Sequence, residues 1–251
     1  MSALPGTGPV ILALDTATER LCAALHDGRR FHTVDEAGGP AASARLLPVL
    51  NALLAQAGLE GEALDAVAFV RGPGAFTGLR TACAVAQGLA WGWRRPVLAL
   101  DALMLVAEDA CAVAPLAEGD EVAVAMDARM DEIYAARYAW LGGRWQVLEA
   151  PALWAWPVLA EAWSGTAVAV LAGSALEPFA GRMRWPAAAR QQPQTHDRAA
   201  ALGRLSLRAY AEGGLLAAAE ALPLYLRDKV AQTTAERAAA AAAAALMSAP
   251  R

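Results

Sequence analysis

The sequence predicts an α/β protein of two lobes, each opening with a meander of strands, with the second lobe the smaller. Three observations carry this. Short apolar runs follow one another near the start and then alternate with segments of helical periodicity up to about Val113. A break at Pro115 to Asp120 is followed by a partial repeat, in which the apolar run Glu121 to Met126 ends at Asp127 as Val10 to Leu14 ends at Asp15. Between the apolar run Leu64 to Val70 and a long Ala- and Leu-bearing stretch stands Arg71 to Arg80, RGPGAFTGLR, which reads as a strand, a glycine loop and a helix.

Taken in order, Val10 to Leu14 is a continuous apolar run suited to a buried strand, closed by the turn formers Asp15 to Thr18. A second strand follows at Leu21 to His26, and Asp27-Gly28 is a hairpin signal into a third near Phe31 to Val34. Ser43 is placed to cap a helix on which Leu46, Leu50, Leu53, Leu54 and Ala57 recur at helical spacing, with Gly58 as its stop. The strand at 64 to 70 is separated from the third by that helix and so is expected to lie parallel to a neighbour. A helix over about 78 to 92 is rich in Ala and Gly, which lets another backbone approach closely. Pro96 to Leu100 reads as a strand and Asp101 as the cap of a helix running to Val113.

The second half gives strands at Ile133 to Trp140 and Trp145 to Leu148 around the turn Leu141-Gly142-Gly143-Arg144. A short helix at Trp156 to Trp163, a strand at Ala167 to Ala172 and a helix from Thr195 to Glu212 follow. Pro186 to Pro193 reads as a linker, and Gln232 to Arg251, with eight consecutive alanines, as a frayed tail. Strand meander, helix, strand, helix, strand, helix is the order of a ribonuclease-H-like lobe. Two such lobes facing a cleft make the architecture of actin and the sugar kinases. The expected domains are 10–116, 117–194, a C-terminal helical segment 195–231 packing back on the first lobe, and the tail 232–251.

Composition narrows the function. Hydrophobic residues are 57% and charged residues 18%, enough apolar matter for a sizeable core and too little charge for a disordered chain. A net charge of −4 argues against avid nucleic-acid binding by the chain alone. Three scattered cysteines, Cys22, Cys83 and Cys111, give neither a disulfide framework nor a zinc site and suit a reducing compartment. The start has no cationic and apolar signal segment, and no apolar run reaches about 20 residues, so the expected location is the cytoplasm without membrane attachment.

The glycine loop could hold an anion, since such a junction aims backbone N–H groups and a helix dipole at one point; Asp15, Gly72, Gly74, Thr77 and Gly78 are the candidates. Asp15 and Asp127, hard oxygen ligands at strand ends, could orient Mg²⁺ for phosphoryl transfer to or from ATP. The competing reading makes the glycines a tight turn and both aspartates turn formers. The loop has neither the Gly-Lys-Ser/Thr of a Walker loop nor Rossmann spacing. His26, His32 and His196 never stand at i, i+4, and no serine or cysteine lies in a nucleophile context, so no catalytic residue and no metal site is assigned. Asp127, Arg129 and Tyr134 belong to a dense polar cluster, DARMDEIY, without an assigned role.

Together VILALDTAT (Val10 to Thr18), RGPGAFTGLR, MDARMDEIY (Met126 to Tyr134) and PLYLRDKVA (Pro223 to Ala231) resemble, in order and spacing, the bacterial TsaB family. The resemblance covers Val10 to Ala231. It implies a noncatalytic partner subunit in making threonylcarbamoyladenosine beside the anticodon of tRNA, acting as a heterodimer with TsaD that TsaE joins. It also implies a homodimer in isolation, no cofactor, and contact with tRNA only through the complex. TsaD holds a metal through paired histidines on its first helix; the matching stretch here, Ala41-Ala42-Ser43-Ala44-Arg45, has none, and Ala42 stands where many relatives keep a single histidine. A peptidase is disfavoured on the same ground. The helices Ser43 to Ala57 and Gly78 to Gly92 become the expected contact faces, with Leu46, Leu50, Leu53, Arg80, Ala82 and Ala86 as candidates.

Overall fold

A computed structural model describes residues 8–113 and 115–227. In the first lobe β1 (Val10–Asp15), β2 (Arg20–Asp27) and β3 (Phe31–Ala37) are followed by α1 (Ala42–Ala57), β4 (Ala66–Gly72), α2 (Phe76–Trp93), β5 (Val97–Asp101) and α3 (Ala102–Val113). The second contains β6 (Glu121–Asp127), β7 (Glu132–Leu141), β8 (Arg144–Ala155), α4 (Trp156–Ala162), β9 (Ala167–Ala172), β10 (Ala187–Gln192) and α5 (Arg198–Ala211), before the two-residue β11 (Leu215–Leu216). The sheets run β11-β5-β4-β1-β2-β3 and β10-β9-β6-β7-β8. Setting β11 aside, both follow one permutation: fifth, fourth, first, second, third. In each the first three strands are antiparallel, and the fourth and fifth run parallel to the first. This is the ribonuclease-H-like order met twice, in a two-lobed actin-like arrangement.

The expected linker at Pro186 to Pro193 is instead strand β10, paired with β9 from Ala187↔Ala167 to Gln192↔Ala172. Its sequence, AAARQQ, lacks the β-branched and aromatic residues that mark strands, and pairing along β9 supplies what propensity does not. The second lobe therefore keeps all five strands. Its reduction lies at 173–186, where turns replace a helix in the position of α2. Strand β8 runs on to Ala155 past the expected end at Leu148, with register shifts opposite Arg137. Ser43 is not a cap: a 3-10 turn, Gly39–Ala41, runs directly into α1, and Ala41 precedes the helix without a side-chain bond. Helix α2 starts at Phe76 rather than Gly78, and α5 at Arg198, capped by the Asp197 carboxylate accepting from the Ala200 N–H at 2.9 Å. The tail 232–251 and the last four residues of the PLYLRDKVA motif lie outside the described residues.

The lobes are joined by crossed helices. Helix α3 leaves β5 but packs on β6, β7 and β9 of the other sheet, while α5 leaves β10 and packs on β1, β2, β3 and β5. The two helices lie against each other in the main core, which takes Ile11, Leu98 and Leu202 together with Val122, Tyr138 and Val170. Eight of the twelve residues of α3 are buried, because it is covered on more than one side. Two of the eight are acids. Glu108 accepts from Trp145 Nε1 at 2.8 Å and from Nε of Arg204 and of Arg208, each at 3.0 Å. Asp109 accepts from the backbone N–H of His196 at 2.6 Å and of Asp197 at 2.7 Å, fixing the approach to α5.

The glycine loop is a packing joint. A Cβ on Gly78 would stand 1.8 Å from the Thr16 carbonyl oxygen, one on Gly74 2.5 Å from that of Ala17, and one on Gly72, at φ 130°, 2.6 Å from that of Leu224. Hydrogen bonds use the same closeness: Ala75 N–H donates to Ala17 O at 2.8 Å, and Thr16 Oγ1 donates to Gly78 O at 2.7 Å. Each glycine is there so that another stretch of backbone can come near.

Two outcomes follow for chemical denaturation. Gly78→Ala is expected to destabilise by at least about 2 kcal/mol, since backbone cannot move aside, whereas Gly88→Ala, where a Cβ meets nothing within 4 Å, should gain about 0.5–1 kcal/mol. Equal stability of the two variants would refute the packing role. Glu108→Ala should lose about 2–3 kcal/mol, because it strands the indole N–H and two guanidinium groups that still reach some water.

Candidate functional site

A cavity of about 730 Å³ lies between the lobes. The turn after β1 (Ala17 to Arg20) and the loop before α2 (Pro73 to Phe76) form one wall; Met126 to Arg129, Tyr134 and Ser174 form the other. Arg198 of α5 reaches it from the core side, and Leu224 to Arg227 pass along its edge.

The two strand-end aspartates occupy equivalent places in their lobes and build the same turn. Asp15 Oδ1 accepts from the Ala17 N–H at 2.7 Å, and Asp127 Oδ1 from the Arg129 N–H at 2.8 Å, each two residues on. Their second oxygens differ. Asp15 is fully buried and its Oδ2 accepts from Arg198 Nε at 2.7 Å, within an ion pair whose side chains are 1% and 3% exposed. Asp127 borders the cavity and faces the guanidinium of Arg129 at 3.5 Å. Among the described residues no group of three or more His, Cys, Asp and Glu is arranged to hold a metal. Burial pushes the Cys22 and Cys83 thiols up and that of Cys111 up to about 12, so none is a ready thiolate at neutral pH.

After Asp127 the chain takes left-handed backbone at three successive residues that are not glycine: Arg129 (φ 62°), Met130 (φ 57°) and Asp131 (φ 60°). Such a conformation costs roughly 1–2 kcal/mol per residue, so something must hold it. Arg227 does, donating from Nη2 to Ala128 O at 2.9 Å and to the Glu132 carboxylate at 2.6 Å, and from Nη1 to Met130 Sδ at 3.2 Å. Upstream the same segment is fastened to the first lobe. Ala221 O accepts from Gln87 Nε2 at 2.9 Å, Leu224 N–H donates to Arg71 O at 2.7 Å, and the Tyr225 ring packs 5.0 Å from Phe76 while its hydroxyl accepts from Arg80 Nε at 3.0 Å. Residues 221–227 are thus a strap from one lobe to the other. A second tie is buried: Tyr138 of β7 donates to Asp101 Oδ2 at 2.9 Å at the end of β5. Burial pushes the Asp101 carboxyl up, against the lowering effect of that hydroxyl and the backbone N–H groups it caps.

Of the sequence candidates, Gly74, Asp127, Arg129 and Tyr134 meet at the cavity, where burial pushes the Tyr134 phenol up. Asp15 stands behind Arg198, and Gly72, Thr77 and Gly78 are outside the lining, so the loop does not gather an anion cradle of the expected residues. The expected contact residues need a plainer correction. Leu46, Leu50, Leu53, Ala82 and Ala86 are at most 2% exposed and fill the core under α1 and α2, so they have no surface to offer. The helical stripe that the sequence displayed is the core-facing one. Arg80 is exposed, and the outer face of α2 continues from it through Ala84 and Gly88 to Trp91, which is 74% exposed. Arg198, Tyr225 and Arg227 were missed: Arg198 carries no local signal, and the other two sat in a motif whose target 95 or more residues away no spacing reveals.

Comparison with known proteins agrees with this architecture. A family model described as TsaD, tRNA N6-adenosine threonylcarbamoyltransferase, matches residues 36–160. The Haemophilus influenzae protein called tRNA threonylcarbamoyladenosine biosynthesis protein TsaB is 41% identical over 125 residues, which span 49% of this chain and about half, 51%, of that protein. The Escherichia coli protein of the same name is 30% identical over 233 residues, covering 88% of this chain and 96% of the relative. The crystal structure of an uncharacterized Pseudomonas aeruginosa protein with similarity to peptidase YEAZ superposes with a TM-score of 0.77 at 37% identity, over 87% of this chain and all of the other. YeaZ from Pseudomonas aeruginosa gives 0.75 at 36%, over 86% and 100%. With near-complete coverage of a named relative and the duplicated fold in place, the chain belongs to the TsaB family of tRNA threonylcarbamoyladenosine biosynthesis proteins.

Proposed function

We propose that the chain serves threonylcarbamoyladenosine formation as a noncatalytic scaffold, forming a heterodimer with TsaD that TsaE joins, in the cytoplasm, with tRNA engaged through the complex. The outer face of α2 carries this reading. Arg80, Ala84, Gly88 and Trp91 follow at helical spacing, all exposed, and end in a large aromatic with three quarters of its surface in water. Small residues allow a partner helix to approach closely, and a protruding Trp is the residue type that most often anchors an interface. The same face would pair two copies when the partner is absent.

The chemistry at the cleft supports a subunit without its own reaction. Both oxygens of Asp15 are occupied, one by a buried guanidinium, so the carboxylate that Mg²⁺-dependent phosphoryl transfer would need is already neutralised. A peptidase would need a nucleophile or a metal-bound water, and the three thiols, all pushed up by desolvation, and the separate histidines supply neither among the described residues.

Trp91→Glu and Ala84→Arg are expected to leave the melting temperature of the isolated chain unchanged while weakening TsaD binding at least tenfold in calorimetry. Formation of the modified nucleoside by TsaD, TsaE and the chain should fall with it. Full-rate modification without the chain, or unaltered TsaD affinity in both variants, would disprove the scaffold role on this face.

A further inference from the structure

We infer that the cavity between the lobes is a binding site for a small organic anion, with Arg198 as its principal ligand-binding residue. This goes beyond the scaffold role and does not depend on it. Arg198 is 3% exposed, borders the cavity, and uses Nε for Asp15, yet its Nη2 is buried without a hydrogen-bond partner among the described residues. Arg227, across the cavity edge, likewise has a buried Nε with no partner. A buried N–H left unsatisfied costs about 1–3 kcal/mol, and two on residues that border one cavity mark a place where an acceptor belongs.

The charge arrangement specifies the sign of that acceptor. Four arginines border the cavity, Arg20, Arg129, Arg198 and Arg227, against two acidic residues, Glu19 and Asp127. The acids that pair Arg20, Arg198 and Arg227, namely Asp35, Asp15 and Glu132, are absent from the lining. The lining therefore carries more cationic than acidic side chains, and the acids that pair three of its arginines lie outside it. Helix α2 starts on the same wall with Ala75 and Phe76, adding its positive end.

Size and lining specify the rest. At about 730 Å³ the cavity is of the size that takes small molecules. Phe76, Leu79, Val106 and Tyr134 give it apolar and aromatic surface. The fitting ligand has an anionic head, phosphate or carboxylate, seated at Arg198, and a planar apolar body between the lobes.

The test uses the ¹⁵N-labelled full chain titrated with phenyl phosphate, benzoate and benzyl alcohol. Both anions should give saturable shifts at the Arg198 and Arg227 side-chain N–H groups and at Tyr134, with Kd between about 10 μM and 1 mM; the tighter of the two identifies the head group. Benzyl alcohol should bind at least tenfold more weakly. Arg198→Lys keeps a cation for Asp15 but loses the planar fork, and should weaken the anions at least tenfold. Should Arg198→Lys fail to fold, Arg129→Ala, on the exposed rim, should still weaken them about threefold. Absence of saturation by about 10 mM, shifts confined to other surfaces, or equal binding of the neutral alcohol would each overturn the inference.

Discussion

The ion pair between Asp15 and Arg198 is the point on which the two lobes depend. It joins the end of the first strand to the first turn of the last helix, 183 residues apart, with almost no exposure to water. Desolvating both charges costs several kcal/mol per ion, and removing one partner of such a pair typically loses about 3–5 kcal/mol. An arginine at a helix N-terminus is itself opposed by the helix dipole, so without Asp15 the start of α5 would be unfavourable on two counts. The pair therefore specifies an arrangement more than it adds stability: α5 crosses to the first sheet, and α3 is left to cover the second.

The two lobes are copies in topology that have diverged at equivalent points. Gly72 closes β4 at φ 130°, and Gly173 follows β9 at φ 120°, its absent Cβ only 2.2 Å from the Ala125 carbonyl oxygen. Each lobe thus has a glycine of positive φ where its fourth strand ends, because backbone comes close there: that of Leu224 in the first lobe and that of Ala125, within β6, in the second. The turns after the first strands then part ways. In the first lobe Thr16 and Ala17 are buried under the glycine loop. In the second, Arg129 to Asp131 stand out in left-handed backbone, with Met130 half-exposed. One turn has become interior and the other a rim.

How much of this was legible follows from distance along the chain. β1, β9, the stop of α1 at Gly58 and the cap of α3 by Asp101 rest on local periodicity and local hydrogen bonds, and they stood in the sequence within a residue or so. β10 did not, because AAARQQ owes its conformation to β9 rather than to its own residues. The site was harder. Asp127, Arg129 and Tyr134 were visible as a polar cluster beside a strand, but Arg227, which holds their turn, arrives from the strap. Helical spacing found the faces of α1 and α2 and could not say which side was inward, since Leu46 and Ala82 satisfy a core and an interface equally well. The glycines told only that something came close, and the structure supplies what: Thr16, Ala17 and Leu224.

Two-lobed folds commonly open and close about a hinge, and hinge motion needs an interface that can part. Here the interface is interwoven. Opening the cleft would pull α3 from the second sheet, α5 from the first, Tyr138 from Asp101, and Arg227 from the turn it holds against its own strain. The strap also places Tyr225 on Phe76 in the first turn of α2, with its hydroxyl accepting from Arg80 Nε while the Arg80 guanidinium lies 3.9 Å over the Phe76 ring. The outer face of α2 and the second-lobe turn are therefore mechanically one piece, joined through seven residues from 221 to 227. Such rigidity spares a binding partner the entropy of ordering this surface, and it makes the cleft a chamber of fixed shape rather than a pair of closing jaws.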